Sequence, residues 1–408
     1  MTDAASSPPP SPAPPSDEEL ERFRARCRAF LAEPIEDLGD GWATAIAFQR
    51  RLFDAGLAGI TIPVEYGGQG LDRAFQEVLE EEAAGLHLPT GVFTITLGMC
   101  LPVVLQYGTE EQKRRHVAPM LRAEERWCQL FSEPNAGSDV AAAQLRAVRD
   151  GDEWVLTGQK VWTSSAERAA FGMCIARTDP DVPKHKGLTM FAVPMDAPGI
   201  TIRPLVQATG DAEFNEVFFD DARIPATSVL GEVGQGWAVT ISMLMNERVS
   251  LGAAGDSLLF GHTGPVLEAA RTLGGDRQVL ADLYAREEMQ RYVALQVRAA
   301  SEAGRDPGPG GSIAKLAGSD LVRRATEAHL RLRGPAGVAW LPDDAEAAAV
   351  ARAFVHAPSL SIAGGTSEIQ RTIIGERVLG FPREPDVDKG VPFREVRQNR
   401  PVGDANRG

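Results

Sequence analysis

The order of the sequence patterns along the 408 residues limits the fold more than any other feature. Apolar residues recur at helical spacing up to about residue 125 and again after about residue 234. Between these positions the chain carries short β-branched and aromatic runs separated by Gly and Pro turns, a pattern typical of a β-barrel or sandwich. We therefore predict an α+β fold with a helical domain, a β domain and a second helical domain, at residues 17–125, 126–233 and 234–383.

The two ends of the chain are predicted to lie outside these domains. Residues 1–16 are rich in Pro, Ser and Ala and are expected to be disordered, with Ser16 as the N-cap of the first helix. Residues 384–408 are polar with few apolar anchors, so we expect them to form a loose tail.

Charge and residue spacing exclude several classes of function. A net charge of −14 and a pI near 5.0 argue against nucleic acid or an anionic membrane as a partner. The four cysteines contain no CxxC pair and the histidines show no metal-binding spacing, so neither a disulfide framework nor a metal site is predicted. No apolar run reaches ~18 residues and the N-terminus has no secretion-signal pattern, so a cytoplasmic protein without a membrane segment is expected.

Two segments of the β region are suited to binding a flat or anionic ligand. One, Leu130-Phe-Ser-Glu-Pro-Asn-Ala-Gly-Ser-Asp139, follows an apolar run and breaks into residues that set special backbone angles. The other, Trp154-Val-Leu-Thr-Gly-Gln-Lys-Val-Trp-Thr-Ser164, is a predicted strand that ends in an aromatic and hydroxyl residues. By composition alone, the pair could also be an ordinary β-hairpin.

The wording of these segments resembles the acyl-CoA dehydrogenase family, in which they wrap the flavin ring of FAD. The resemblance extends from about Ile60 to Leu379. It implies a C-terminal four-helix bundle, FAD as cofactor, an acyl-CoA thioester as substrate and an electron-transferring flavoprotein as acceptor. The residues that it places at FAD are Gln129, Leu130, Phe131, Ser132, Gly137, Ser138, Trp162, Thr163, Ser164, Arg271, Gln278, Thr366, Ser367 and Glu368.

Glu247 is the candidate catalytic base. In the predicted helix from Gly236 to Leu251 it lies at the edge of an apolar face, which comprises Trp237, Ile241, Leu244 and Met245. Loss of water around a carboxylate raises its pKa toward the range useful for a general base. The periodicity alone favours a plainer alternative, a glutamate that reaches solvent or pairs with an arginine elsewhere.

The resemblance strengthens the catalytic interpretation. Most members take the base from a Glu-Gly-Thr loop near the C-terminus, and here Gly364 occupies that Glu position. Isovaleryl-CoA and long-chain members instead carry the base on a helix with a Glu-Arg pair, which Glu247-Arg248 matches. Glu247 is thus the predicted base, and the Gly364 N–H the predicted oxyanion donor. The substrate contacts implied are Ser138, Met243, Leu244, Arg248 and Gly365.

The same C-terminal loop is predicted to lead into a helix. Ser367 and Gln370 have the spacing of a capping box before an amphipathic helix that ends near Gly380. A plain capping turn would explain these residues equally well.

Two elements that reach the neighbouring subunit's FAD in this family have altered sequences. One reads Ala270-Arg-Thr-Leu-Gly274, and the other reads Arg331-Leu-Arg-Gly-Pro-Ala-Gly337. Two assemblies remain open: a homo-oligomer in which Arg271, Arg331 or Arg333 meets the pyrophosphate, and a heteromer with a homologous chain that carries intact elements.

Other functions on the same fold also remain open. A flavin-dependent monooxygenase would not need Glu247, and a non-catalytic subunit would not need to retain it. The acyl chain and its carrier, CoA or an acyl-carrier protein, are not specified by the sequence. A phosphate loop ending at Lys315 is not predicted, because Leu316 follows the lysine.

Overall fold

The computed structural model of the chain describes residues 14–252, 263–302, 309–339, 343–385 and 388–396. The expectation of disorder for residues 1–13 therefore lies outside the described residues. The described residues divide into two units. One holds the residues up to 92 and 114–124, and the other holds 93–113 and the residues from 125 onward.

The first unit is helical, as the sequence predicts. It contains α1 (Asp17–Leu31), α2 (Gly41–Asp54), α3 (Arg73–Ala83) and most of α5 (Glu110–Leu121). Ser16 caps α1 as expected, because its hydroxyl accepts from the Glu19 N–H while the Glu19 carboxylate accepts from the Ser16 N–H. Its core is a cluster that includes Phe23, Cys27, Phe48, Leu57 and Ile60.

The second unit opens with an irregular helix that supports the sheet. The apolar residues from Gly91 onward form a 3₁₀ turn (Gly91–Phe93), a π-helix (Thr94–Cys100) and α4 (Leu101–Tyr107) rather than one uniform helix. Thr96 lies in the π-helix, and its hydroxyl accepts a hydrogen bond from the Trp127 N–H at 2.9 Å. This contact joins the helix to the strand that precedes the first ligand-binding segment.

The predicted β domain is a mixed sheet of eight strands. Seven strands follow the order β6-β7-β3-β2-β4-β5-β8, and β1 pairs in parallel with β4. Their bounds are Trp127–Leu130 (β1), Arg146–Asp150 (β2), Glu153–Ser164 (β3), Phe171–Arg177 (β4), Leu188–Pro194 (β5), Ile200–Leu205 (β6), Phe214–Pro225 (β7) and Val229–Leu230 (β8). One face carries a core that includes Leu130, Leu156, Phe191 and Phe219.

The C-terminal part is helical, and its central element is α9 (Gly310–Arg333). The others are α6 (Gly236–Gly252), α7 (Thr263–Leu273), α8 (Arg277–Glu302), α10 (Pro335–Ala339), α11 (Ala345–His356) and α12 (Ser367–Arg377). α9 packs against each of them. Among the described helices, none is both long and apolar enough to cross a lipid bilayer.

The segment expected to be a loose tail contains an anchored stretch. Phe393 is buried, and its N–H donates to the Val182 carbonyl at 2.9 Å. The Arg177 guanidinium lies over the Phe393 ring at 3.7 Å from its centroid. Residues around 393 are therefore held against the β domain by a contact that the polar composition did not indicate.

Candidate active site

The two predicted ligand-binding segments lie side by side. The Val161 N–H of β3 donates to the Ser132 carbonyl, immediately after β1, at 2.9 Å. This hydrogen bond brings the Gln129–Ser132 run next to Trp162–Ser164. The two runs must lie together if they are to enclose one planar ligand. We call these two runs together the cradle.

A buried ion pair supports the cradle from beneath. Lys160 is fully buried, and its Nζ contacts the Glu133 carboxylate at 2.8 Å and the Phe131 carbonyl at 3.0 Å. The same carboxylate accepts the N–H groups of Gln144 and Leu145 at 2.6 and 2.9 Å. Every donor around this carboxylate is fixed by backbone or packing, so the pair holds the cradle in one conformation.

Trp162 is placed to cover a flat ligand. Its backbone has φ of +60°, which few non-glycine residues adopt, and its ring is 61% exposed beside Phe214. The next residue, Thr163, is buried with no hydrogen-bond partner for its hydroxyl among the described residues. A strained backbone, an exposed large aromatic and a hydroxyl without a partner among the described residues together fit an aromatic ligand with polar edges.

The polar turn that follows the cradle is open to solvent. Gly137 and Ser138 are exposed, and Asp139 pairs with Lys184 at 2.7 Å. The turn is thus available for a ligand that extends beyond the cradle, which suits the expectation for Ser138.

Glu247 reaches the cradle through one polar contact. Its Oε2 lies 3.4 Å from Nε2 of Gln129, which belongs to β1. α6 thereby places a carboxylate beside the strand that begins the cradle. The side chain of Arg248, the next predicted contact, lies outside the described residues.

The buried face of α6 differs from the predicted one. Val239, Thr240 and Met243 are buried, whereas Ile241 and Met245 are 38% and 50% exposed. The prediction was wrong because α6 is apolar on nearly every side, so spacing alone does not select the buried face. Glu247 follows Met243 by one helical turn and so lies on the buried face rather than at its edge.

The loop before α12 carries two consecutive glycines with positive φ. Gly364 and Gly365 have φ of +66° and +91°, a region that a side chain at Gly364 would adopt only with strain. Gln370, which is buried, donates from Nε2 to the Gly364 carbonyl at 2.9 Å. The loop is therefore held from behind by α12.

The N-cap of α12 also differs from the predicted one. Thr366, and not Ser367, is the N-cap, since its hydroxyl accepts from the Ile369 N–H at 3.3 Å. Ser367 is the first helical residue, and Glu368 is exposed. Gln370 turns back to the loop carbonyls instead of the capping position, which explains why capping-box spacing misled the prediction.

Lys315 is a residue near this site that the sequence reasoning passed over. It is 6% exposed, and burial lowers its pKa, while the nearby charges of Glu247 and Glu368 raise it. A signal was present: Lys315 shares a helical face with the small buried residues Gly318 and Ser319. A lysine on such a face is unusual unless a charge compensates it.

The residues expected to serve a neighbouring FAD have local partners in this chain. Arg271 is exposed and pairs with Glu268 at 2.8 Å, while Gln278 is exposed and its N–H donates to Asp276. Arg331 is exposed too. Arg333 is mostly buried and pairs with Asp344 and Glu346 instead.

Comparisons with known proteins identify the family of the chain. Sequence profiles of the acyl-CoA dehydrogenase N-terminal, middle and C-terminal domains match residues 17–124, 128–222 and 234–379. The acyl-CoA dehydrogenase IpdE1 of Mycolicibacterium smegmatis is 36% identical over 395 residues, which cover 90% of this chain and 99% of that relative. The acyl-CoA dehydrogenase FadE34 of Mycobacterium tuberculosis is 39% identical over 344 residues, covering 82% of this chain. This chain spans about half (46%) of FadE34.

Solved structures show the same relationship. The Tcur3481-Tcur3483 steroid ACAD superposes with a TM-score of 0.74 at 30% identity, covering 91% of this chain and 99% of the other. The ChsE4-ChsE5 complex from Mycobacterium tuberculosis gives 0.73 at 28%, with the same coverage. The chain belongs to the acyl-CoA dehydrogenase family, whose members are flavoprotein oxidoreductases.

Proposed function

We propose that this enzyme oxidises an acyl thioester to the trans-2-enoyl thioester, with Glu247 as the base. The observation that carries the proposal is the contact between Glu247 and Gln129, which sets a carboxylate against the first cradle strand. Gly364 has no side chain to compete for that role. Family membership supports the reaction class, and the position of Glu247 supports the residue assignment.

Each residue has a distinct task in this scheme. Glu247 removes the α-proton, and Met243 on the preceding turn keeps water from the carboxylate. The Gly364 N–H donates to the thioester carbonyl as negative charge develops there. Bound FAD would supply the acceptor for the hydride that leaves the β-carbon.

The cradle residues fit FAD. Trp162 would lie against the flavin ring, with the unpartnered Thr163 hydroxyl and Ser164 at its polar edge. Gln129, Leu130, Phe131 and Ser132 would border it from the other segment, while Thr366, Ser367 and Glu368 would contact it from the start of α12. Gly137 and Ser138 would lie toward the carrier portion of the substrate.

The kind of acyl group is proposed from the similar solved structures. A steroid ACAD is among the similar solved structures, so we include bulky cyclic acyl-CoA thioesters among the candidate substrates. An electron-transferring flavoprotein is the proposed acceptor.

The experiment mixes the FAD-loaded enzyme anaerobically with a panel of acyl-CoA thioesters and follows loss of the oxidised-flavin absorbance. The panel spans short, long, branched and steroid side-chain acyl groups. The proposal expects at least one member to bleach the flavin and to yield the enoyl-CoA by mass spectrometry. Absence of bleaching with every thioester, combined with substrate oxygenation in air and a reductant, would favour the monooxygenase alternative.

We also propose a heteromeric assembly with a homologous chain. The two elements that would serve the neighbouring FAD are altered here, and Arg333, one candidate substitute, already pairs with Asp344 and Glu346. Similar solved structures include a complex of two differently named chains, ChsE4 and ChsE5. A homo-oligomer that uses Arg271 or Arg331 is the alternative.

A further inference from the structure

Lys315 is a buried cation to which the proposed chemistry gives no task. It lies in the first turns of α9 and is 6% exposed. Its Nζ forms no hydrogen bond with the residues that the structure describes. Removing an ammonium from water without hydrogen bonds is costly unless an opposite charge compensates it. Its surroundings should therefore supply that charge.

Two carboxylates act on Lys315, those of Glu247 and Glu368. α9 packs against α6, which carries Glu247, and against α12, whose first turn carries Glu368. Glu368 is exposed and lies 3.7 Å from Arg371. Glu247 is partly buried. Because water screens the exposed carboxylate, the electrostatic consequence of Lys315 is greater for Glu247.

Apart from α9, the described elements that pack most closely on α6 carry no carboxylate. α6 packs also against Thr94–Cys100, α4, β4 and β5, which are fully described and whose ionisable side chains are Cys100, Tyr107, Cys174 and Arg177. Burial raises the pKa of both thiols, so both are neutral. Arg177 donates to backbone carbonyls at residues 141 and 143.

Several polar groups around α9 have partners of their own. From α8, the neutral amide of Gln290 donates to the Ala314 carbonyl at 2.7 Å. From α11, the acidic residues pair with Arg333 at the opposite end of α9. On α9 itself, Asp320 pairs with Arg323 and Arg324.

We propose that Lys315 is a positioning residue for the base, whose ammonium keeps Glu247 ionised in its apolar surroundings and ready to accept the substrate α-proton. The inference rests on the proposed function. Burial by itself favours the protonated carboxyl, which cannot act as a base, and a neighbouring cation opposes that effect. When Glu247 takes the proton, Lys315 keeps its own, so one proton moves from substrate to Glu247.

The test titrates Glu247 directly. Infrared difference spectra of the protein against its Glu247→Gln variant isolate the carboxylate band of Glu247 across a pH series. Lys315→Met is expected to raise the titration midpoint by about one unit or more, the smallest effect usual for a close opposite charge. Lys315→Arg retains the charge and should keep the midpoint near that of the unaltered protein. Below the midpoint, the rate of flavin reduction should fall about tenfold per unit in parallel.

Arg324→Met is the matched control, because it removes an exposed cation from the same helix. It should leave the Glu247 midpoint unchanged. An unchanged midpoint in Lys315→Met, with the protein folded by circular dichroism, overturns the inference. If Lys315→Met does not fold, Lys315→Gln takes its place. The titration of the unaltered protein also tests the inference without any variant. If Glu247 is still protonated at about pH 8, the inference is contradicted.

The spectra separate this inference from the proposed function. Glu247→Gln that retains full activity would remove the base assignment while the spectra still show whether Lys315 acts on Glu247. Conversely, an inactive Glu247→Gln with an unshifted midpoint in Lys315→Met would remove only the role of Lys315.

Discussion

Glu247 and Gly364 are the two positions on which the proposed mechanism depends most. By the resemblance to the family, most members carry the base at the position of Gly364, whereas the proposed base here, Glu247, lies on α6. We infer that a carboxylate at either position reaches the substrate. The double variant Glu247→Thr with Gly364→Glu should therefore restore part of the activity that Glu247→Thr alone loses.

Anaerobic flavin reduction by the best acyl-CoA is the measurement for this transplant. Gly364→Glu alone is the control for backbone strain, since φ of +66° disfavours a side chain at that position. A double variant no faster than the single Glu247→Thr variant, with FAD still bound in both, would show that a carboxylate at position 364 does not reach the substrate.

Trp162 supplies the second prediction at residue scale. Trp162→Ala should weaken FAD binding by about 10–100-fold, because a large aromatic surface against the ring is lost. The dissociation constant of FAD from the apoprotein is the quantity to measure, and Phe381→Ala, which removes another exposed aromatic, is the control. Equal FAD affinity in Trp162→Ala and the unaltered chain would remove Trp162 from the cradle.

The resemblance to the family, and not the residue patterns by themselves, led to the prediction of Glu247 and the two cradle segments, and neither indicated their supports. The motif around Trp162 names the residue, whereas its positive φ and the orphaned Thr163 hydroxyl follow only from coordinates. Lys315 entered the sequence analysis only as part of a phosphate loop, which Leu316 excludes. The carboxylates that raise its pKa lie on α6 and α12, far away in sequence. Local patterns do not encode such long-range pairs.

At the scale of elements, the Lys160–Glu133 pair links β3 to the turn after β1. Lys160→Met should destabilise the protein by about 3–5 kcal/mol, because it leaves a buried carboxylate without its cation. Urea unfolding followed by the fluorescence of the β domain measures the loss. Lys184→Met, which breaks the pair with the exposed Asp139, should cost less than about 1 kcal/mol. Similar losses in the two variants would contradict a special role for the buried pair.

The strands were predictable because their patterns are local, and the details of the helices were not. The runs at 171–176, 189–193 and 201–203 all lie inside observed strands. By contrast, the run from Gly91 reads as one helix but changes through three helical forms, with Thr96 bonded to Trp127. That change depends on the strand it contacts, which periodicity cannot reveal.

At the scale of the whole molecule, the proposed heteromer depends on the residues that would serve a neighbouring FAD. Arg333 is mostly buried in an internal ion-pair cluster, so only Arg271 and Arg331 remain as exposed substitutes. α8 also presents large exposed apolar side chains, Tyr284, Met289, Tyr292 and Leu295. Such a surface is typical of an association face, and we assign it to a homologous chain.

FAD content per protomer tests that assembly. The chain expressed alone should retain FAD weakly, and co-expression with a homologue that carries intact elements should raise the content and give a defined complex by light scattering. One tightly bound FAD per chain in a stable homo-oligomer would rule out the heteromer. In that case Arg271→Ala or Arg331→Ala should lower FAD content, with Arg333→Ala affecting stability instead.

The central claim is that Glu247 removes the α-proton, and a single-turnover comparison tests it most directly. FAD-loaded Glu247→Gln and the unaltered enzyme are mixed anaerobically with the best acyl-CoA while flavin absorbance is recorded. We predict that the variant keeps its FAD and binds the thioester but reduces flavin ~10²–10⁴-fold more slowly, the usual loss when a general base is removed. A variant that retains more than about a tenth of the rate would contradict the account.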